Sequence, residues 1–276
     1  MHLRPESIPA PLPKSSVPSG NSGHSILPKA RQKLSNSSAV GSGRVILISG
    51  SDGGIGSAIV ENLLTHGYRV SLGGLDKASL EGKFGSETSN KTFHAFDAFD
   101  KQSAVDWVSQ TVETFGQIDG LVNAIGGGGR VAMMDDNDQA LDDVWELFVK
   151  TPLRLTRLCM PHLEKSGRGR VVNIASLASK RIRNVTVGYG VAKFAQLGLT
   201  HATRTYGWEK GVRATAVCPG WVGTAKSMAK APNLQMLPDD MTDPSTIAHM
   251  VRTAIELPNN ASMAEMIINC EFEDLF

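Results

Sequence analysis

Short apolar runs alternate with amphipathic stretches along most of this sequence. The runs are rich in Val, Ile and Leu, and they lie at residues 45–48, 68–72, 120–124, 170–175, 212–217 and 266–269. Runs of this kind are typical of strands that are buried on both faces of a parallel sheet. Apolar residues recur at helical spacing between the runs, at residues 55–64 and 103–115 and at about 140–163, 189–206 and 244–256. This alternation predicts one α/β domain, a doubly wound parallel sheet with helices on both faces.

The first 43 residues lack this pattern. They are rich in Ser and Pro, and Glu6 is their one acidic residue beside several basic ones. Such a composition cannot bury enough apolar surface to offset the entropy of ordering, so residues 1–43 are predicted to be a flexible extension of the domain at 44–276. Two alternatives stay open: a transit peptide, which would direct the protein to an organelle, and an arm that orders against another subunit.

Composition narrows the function classes. The 276 residues are 41% hydrophobic and carry a formal charge of +1, so neither a disordered chain nor a basic nucleic-acid-binding field is indicated. No apolar run approaches the roughly 20 residues of a membrane span. Three cysteines far apart in the sequence are typical of a reducing compartment and not of a disulfide scaffold or a zinc module. We therefore expect a cytoplasmic protein with no metal site, no nucleic-acid partner and no membrane partner.

A glycine-rich turn follows the first apolar run, at residues 49–56 (SGSDGGIG), and leads into a helix. Glycine permits positive φ angles and a close approach of the backbone to a pyrophosphate, whose charge the helix N-terminus stabilises. Between a buried strand and an amphipathic helix, this turn predicts a dinucleotide site. Its predicted cofactor-binding residues are Gly50, Ser51, Asp52, Gly54, Ile55 and Gly56.

The end of the second predicted strand bears on the choice between NAD and NADP. An acidic residue there would bind the ribose hydroxyls of NAD, whereas a nearby Arg would favour the 2′-phosphate of NADP. Gly74 stands at the position of the acid, Leu75 stands where an Arg often follows, and Asp76 comes slightly late. The residue before Gly54 is Gly53 and not a base. Both cofactors stay open, with a slight preference for NAD.

A tyrosine and a lysine four residues apart provide the candidate chemistry. Tyr189 and Lys193 share one face of a predicted helix, and an ammonium beside a phenol favours the phenolate and lowers the phenol pKa. Ser176, at the end of the preceding strand, supplies a hydroxyl for the substrate oxygen. Beside a dinucleotide site, these three candidate catalytic residues indicate hydride transfer coupled to proton transfer.

The order of these motifs resembles that of the classical short-chain dehydrogenases/reductases, over about residues 44–269. The glycine turn is similar to the family's glycine motif, with Ser in place of the usual Thr. Residues 123–126 (NAIG) resemble the family's Asn-Asn-Ala-Gly segment with two positions changed, and residues 219–224 (PGWVGT) resemble its Pro-Gly segment. The resemblance implies a Rossmann-type sheet of about seven parallel strands and a homodimer or homotetramer.

The resemblance also implies roles for single residues. Tyr189 is expected to be the acid/base, Lys193 to lower its pKa and bind the nicotinamide ribose, and Ser176 to orient the substrate oxygen. Asp97 falls where the family holds the adenine, and Thr224 falls near the carboxamide of the nicotinamide. Beyond the glycine turn, the implied cofactor contacts are Asp97, Asn123, Gly126, Tyr189, Lys193, Pro219, Gly220, Val222 and Thr224.

One departure from the family concerns an Asn on the long helix before the Ser strand, which usually supports a proton relay through water. Its position falls near Phe148 or Val149, and the nearest asparagine, Asn137, comes too early. This departure puts the water relay in question.

These observations predict an NAD(P)-dependent oxidoreductase that interconverts an alcohol and a carbonyl on a small molecule. A non-catalytic module of the same fold, which binds a nucleotide or a partner, is the alternative that the missing Asn supports. A lyase or epimerase that retains its cofactor is the second alternative.

Overall fold

The computed structural model describes residues 41, 43–127, 131–183, 187–229 and 237–272. Most of the predicted N-terminal extension therefore lies outside the described residues, and its flexibility stays a prediction. No helix within the described ranges has both the length and the apolar character of a membrane span.

Seven parallel strands form one sheet in the order β3-β2-β1-β4-β5-β6-β7. The strands are β1 (Val45–Ser49), β2 (Arg69–Gly74), β3 (Lys91–Ala95), β4 (Gly120–Asn123), β5 (Arg170–Ile174), β6 (Arg213–Pro219) and β7 (Glu265–Ile268). The chain winds outward in one direction from β1 to β3 and in the other from β4 to β7, so the order reverses beside β1. The predicted doubly wound sheet is confirmed, and its reversal point is where such sheets bind ligands.

Helices connect the strands along the described part of the chain. They are α1 (Gly54–Thr65), α2 (Lys77–Phe84), α3 (Lys101–Phe115), α4 (Asp138–Trp145), α5 (Thr151–Lys165), α6 (Val187–Gly207), α7 (Ala225–Met228) and α8 (Pro244–Glu256).

Both faces of the sheet are covered by helices. On β1, Ile46 and Ile48 belong to the apolar cluster that includes buried residues of α1 and α8, whereas Leu47 belongs to the cluster of α3 and α5. Successive side chains of a strand point to opposite faces, so the continuous apolar run at 45–48 supplies both cores. This packing is the physical reason why the run could be identified from the sequence.

The helix predicted at about 140–163 matches a continuous helical stretch, in which a π-helical turn at Glu146–Lys150 joins α4 to α5. Pro152 follows this turn and has no N–H to donate to the carbonyl of Phe148, four residues earlier, so regular α-helical bonding is interrupted there. The side chain of Phe148 is 1% exposed and points into the protein.

Buried arginines lie at the amino-terminal end of the sheet. Arg44 Nη1 donates to the Ile255 carbonyl at 2.8 Å, and Arg170 donates to the Leu257 carbonyl and, at 3.0 Å, to Asn259 Oδ1. These carbonyls lie at or just beyond the C-terminus of α8, where helices leave acceptors unpaired and favour cations. The arginines therefore tie α8 to the sheet.

Candidate active site

The glycine turn lies at the opposite, carboxyl end of β1. Gly50 has a φ of 66°, and a Cβ on it would lie 2.8 Å from the Ala124 carbonyl oxygen that follows β4. A Cβ on Gly56 would lie 2.1 Å from the carbonyl oxygen of Gly50. The first position thus requires glycine for its backbone angle and the second for close contact within the turn, as the sequence pattern predicted.

The N-terminus of α1 opens from this turn. Its N-cap residue is Gly53, which provides no side-chain cap, and no acidic residue lies in the first turn. Unpaired N–H groups and the positive end of the helix dipole are therefore available to an anion. A Cβ on Gly54 would lie 2.5 Å from Thr224 Cγ2, so the segment at 219–224 packs directly against the glycine turn.

The remaining predicted cofactor residues lie along the same edge of the sheet. Asn123, at the end of β4, is buried, and its Nδ2 donates to Asn173 Oδ1 at 2.8 Å. Its own Oδ1 is buried and has no hydrogen-bond partner among the described residues, which leaves an acceptor for a bound molecule. Asp97 and Gly126 are exposed just beyond β3 and β4. The glycine cradle and this unpaired acceptor fit a dinucleotide.

Two charged groups lie beyond the end of β2. The Asp76 carboxylate accepts from the backbone N–H groups of Ala78 and Ser79, each at 3.1 Å, and so caps α2. Lys83 Nζ donates to the Asp52 carbonyl at 2.7 Å, which brings a positive charge to the glycine turn. Sequence reasoning missed Lys83, because only the fold of α2 returns it to the turn. These groups do not select between NAD and NADP.

Ser176 and Tyr189 are brought together at the end of β5. Ser176 Oγ accepts from the Ala178 N–H at 3.1 Å, which fixes the serine at the start of a short 3₁₀ turn. Burial raises the pKa of Tyr189, and a side-chain hydrogen bond with Ser176 opposes this by lowering it. The effect of burial is the larger one, so the pKa of the phenol is raised. A neighbouring lysine was expected to lower it.

Lys193 is one turn further along α6 and 2% exposed. Its Nζ donates to the Ile174 carbonyl at 2.9 Å and to Gln196 Oε1 at 2.8 Å. Nζ lies 5.7 Å from the centroid of the Tyr189 ring, and burial lowers the pKa of Lys193 to about 7. The structure therefore groups all three candidate catalytic residues, and it adds Gln196, which sequence reasoning missed. The available signal was a Gln three residues after Lys193 on the same helix face.

Phe148 lies close to the position at which the family usually has an Asn. Its ring centroid lies 4.1 Å from Lys193 Nζ, and it meets the Tyr189 ring edge-on with the centroids 5.4 Å apart. Asn137 has a different role, because its Oδ1 accepts from the Ala140 N–H at 3.1 Å and caps α4. An aromatic ring thus packs against the Tyr–Lys pair.

Comparison with protein-family models matches residues 44–235 to short chain dehydrogenase. Two curated proteins named agropine synthesis reductase, both from Rhizobium rhizogenes, are 44% and 42% identical over 232 and 227 residues. These matches cover 84% and 82% of this chain but only 53% and 52% of the relatives, so the chain spans about half their length. A 7alpha-hydroxysteroid dehydrogenase from Bacteroides fragilis is 27% identical over 194 residues, covering 67% of this chain and 74% of that protein.

Solved structures show the same fold. A short-chain dehydrogenase from Streptomyces avermitilis superposes with a TM-score of 0.72 at 22% identity, covering 82% of this chain and 87% of that one. The structure of ElxO with NADP bound gives a TM-score of 0.75 at 20% identity, covering 82% of this chain and 97% of that one.

Proposed function

Because the chain belongs to the short chain dehydrogenase family, whose members among its relatives are named reductases and dehydrogenases, we propose that it is an NAD(P)-dependent oxidoreductase that interconverts an alcohol and a carbonyl on a small molecule. The observation that carries this proposal is the grouping of Ser176 and Tyr189 at the end of β5, one helical turn from buried Lys193 and at the same sheet edge as the glycine turn. These groups pair a proton donor with a dinucleotide site.

The nicotinamide, when bound, supplies or accepts the hydride. In the proposed mechanism the backbone of the glycine turn and the N-terminus of α1 bind the pyrophosphate. Lys193 binds the nicotinamide ribose, and Ser176 Oγ–H hydrogen-bonds the substrate oxygen and orients it. Tyr189 Oη gives its proton to that oxygen during reduction and takes it back during oxidation.

The names of the relatives bear on the direction of the reaction. Two of them are named reductases. Tyr189, whose pKa is raised by burial, holds in its neutral form the proton that carbonyl reduction consumes. We therefore propose reduction of a carbonyl as the physiological direction.

Three further properties belong to this proposal. NAD is preferred slightly because Gly53 and Leu75 stand where NADP sites often carry bases. The active form is a homodimer or homotetramer, and it works in the cytoplasm. Parallel titrations with NADH and NADPH test the first property, the mass of the protein in solution tests the second, and microscopy of the tagged full chain tests the third.

Tyr189→Phe tests the proposed function. We expect the nucleotide Kd to stay within a few-fold of the wild-type value while carbonyl reduction falls by roughly 100-fold or more, because the ring stays but the proton donor is lost. Tyr206→Phe is the matched control, since Tyr206 lies on the same helix and is 58% exposed. Equal turnover in Tyr189→Phe and wild type would refute the assignment.

The non-catalytic module remains the second candidate, favoured by Phe148 where the family usually places an Asn. It makes a different forecast for the wild-type protein: nucleotide binding without oxidation of NADH or NADPH by any carbonyl in a broad panel. Turnover that depends on Tyr189 excludes this candidate.

A further inference from the structure

The ammonium of Lys193 is surrounded by protein groups. An ammonium has three N–H donors. Two of them reach oxygen acceptors, the Ile174 carbonyl and Gln196 Oε1, and the Phe148 ring lies beside the charge with its centroid 4.1 Å from Nζ. An aromatic face at this distance stabilises a cation. Lys193, Gln196 and Phe148 are each at most 2% exposed, so this set of contacts is closed off from bulk water.

Gln196 is the unusual member of the set, because burying a polar amide is costly unless it forms hydrogen bonds. It lies three residues after Lys193, so the two side chains share one face of α6. Its backbone carbonyl accepts from Thr200 Oγ1 at 2.9 Å, and that hydroxyl accepts from Asn173 Nδ2 at 2.8 Å. Asn173 Oδ1 in turn accepts from Asn123 at the cofactor edge. A buried network therefore fixes the helical turn that carries Gln196.

We propose that Gln196 is a positioning residue of the active site, whose amide oxygen, together with the Phe148 ring and the Ile174 carbonyl, holds Lys193 Nζ beside Tyr189 and favours its protonated form. The link to nucleotide binding and turnover rests on the proposed function. The contacts that hold Lys193 Nζ are made by this chain's own residues and do not depend on that proposal.

The groups that face Lys193 can be named for each element packed against it. Tyr189 lies on its own helix, the Cys218 thiol lies on β6, β5 offers the Ile174 carbonyl, and the π-helical turn offers the Phe148 ring. Burial raises the pKa of both the phenol and the thiol, which keeps them neutral where Lys193 titrates. The amide of Gln196 is therefore the side-chain acceptor whose replacement is expected to move that titration.

The direct test follows Lys193 by NMR of protein labelled with ¹³C at lysine Cε, with the resonance assigned by its loss in Lys193→Met. Gln196→Leu removes the acceptor at similar size, and we expect the titration midpoint of Lys193 to fall by about one pH unit. Gln196→Glu keeps an oxygen and adds a negative charge, so the midpoint is expected to rise. Gln110→Leu, remote on α3 and exposed, is the control that should leave it unchanged.

Opposite shifts in the two variants distinguish positioning from a purely structural role, which would weaken the fold without reversing sign. If Gln196→Leu fails to fold, Gln196→Glu still decides the question, because it preserves the polar contact. A Lys193 midpoint in Gln196→Glu equal to that of wild type would overturn the inference.

A second experiment measures the Kd of NADH and of NADPH, and kcat/KM for carbonyl reduction, between pH 5.5 and 9. We expect the alkaline loss of nucleotide affinity and of kcat/KM to move to lower pH in Gln196→Leu and to higher pH in Gln196→Glu. Binding of neither nucleotide by folded wild type would refute the proposed function. It would not refute the effect of Gln196 on Lys193, which the NMR titration measures independently. Unshifted pH profiles combined with shifted NMR midpoints would overturn the role of Gln196 in the active site.

Discussion

The close contact between Gly56 and Gly50 predicts that a single added methyl group at position 56 disturbs the glycine turn. In Gly56→Ala, the new Cβ would lie 2.1 Å from the Gly50 carbonyl oxygen, 2.9 Å from its carbonyl carbon and 3.0 Å from Ser51 Cα. All three atoms belong to the backbone, so no side chain can rotate away. Relief to an ordinary contact moves the turn by roughly 1 Å, away from the geometry that binds a pyrophosphate.

The magnitude follows from this displacement. Such a displacement removes hydrogen bonds from backbone N–H groups to a charged pyrophosphate, each worth about 1.5–3 kcal/mol, so we expect the Kd of the preferred nucleotide to rise on the order of 100-fold. Overpacking costs about 1–3 kcal/mol, and the thermal midpoint is expected to fall by about 2–10 °C. Fluorescence titration and thermal unfolding monitored by circular dichroism measure the two effects.

Gly53→Ala is the matched control within the same turn. A Cβ on Gly53 meets only the Gly50 carbonyl oxygen, at 3.3 Å, and the φ of −69° suits any residue. We expect its Kd to stay within a few-fold of wild type. Wild-type affinity in Gly56→Ala would refute the packing argument, and an equal loss in both variants would show that the methyl contact is not its cause.

Three further expectations concern stability and reactivity. Arg170→Met should lower the free energy of unfolding by about 2–3 kcal/mol in urea titrations, because it removes donors from carbonyls around the C-terminus of α8. Glu265→Gln should cost about 1 kcal/mol at pH 7 and nothing near pH 3, since the hydrogen bond from Lys180 lowers the pKa of Glu265. With a thiol reagent at neutral pH, partly exposed Cys270 should react in the folded protein, whereas Cys159 should not, because burial raises its pKa to about 12.

The sign of the Glu265 effect follows from linkage. A carboxyl whose pKa is lower in the folded protein stabilises the fold above its unfolded pKa, and this contribution is lost as the pH falls through the folded value. A stability difference at pH 3 as large as the one at pH 7 would contradict the ion pair with Lys180. Unchanged unfolding of Arg170→Met would contradict the capping role, and rapid labelling of Cys159 in the folded protein would contradict its burial.

The parts of the fold that were predictable are those with strong hydrophobic patterns. Residues 45–48 of β1 are fully buried and continuously apolar, and the helix Pro244–Glu256 has a start signal in Asp243 and Pro244. Lys91–Ala95 gave no comparable run, because this edge strand pairs only with β2 and Phe93 is its one large apolar residue. Lys77–Phe84 buries only Leu80 and so lacks an amphipathic pattern.

The candidate site was predictable where chemistry depends on local spacing. The glycine turn and the pair Tyr189 and Lys193 each lie within a few residues of sequence, and helical geometry alone brings the pair together. Lys83 and Phe148 reach the site only through tertiary packing, Lys83 because α2 returns to the turn and Phe148 because a π-helical turn directs its ring inward. Gln196 is local in sequence, yet its role is visible only once Lys193 is seen to be buried.

The central claim is that this chain binds a nicotinamide dinucleotide at the glycine turn and uses it for turnover. The most direct measurement is a fluorescence titration of the purified, folded protein with NADH and, separately, with NADPH. We expect saturable binding of at least one nucleotide, with a Kd about 100-fold higher in Gly56→Ala. Failure of the folded wild-type protein to bind either nucleotide would contradict the claim.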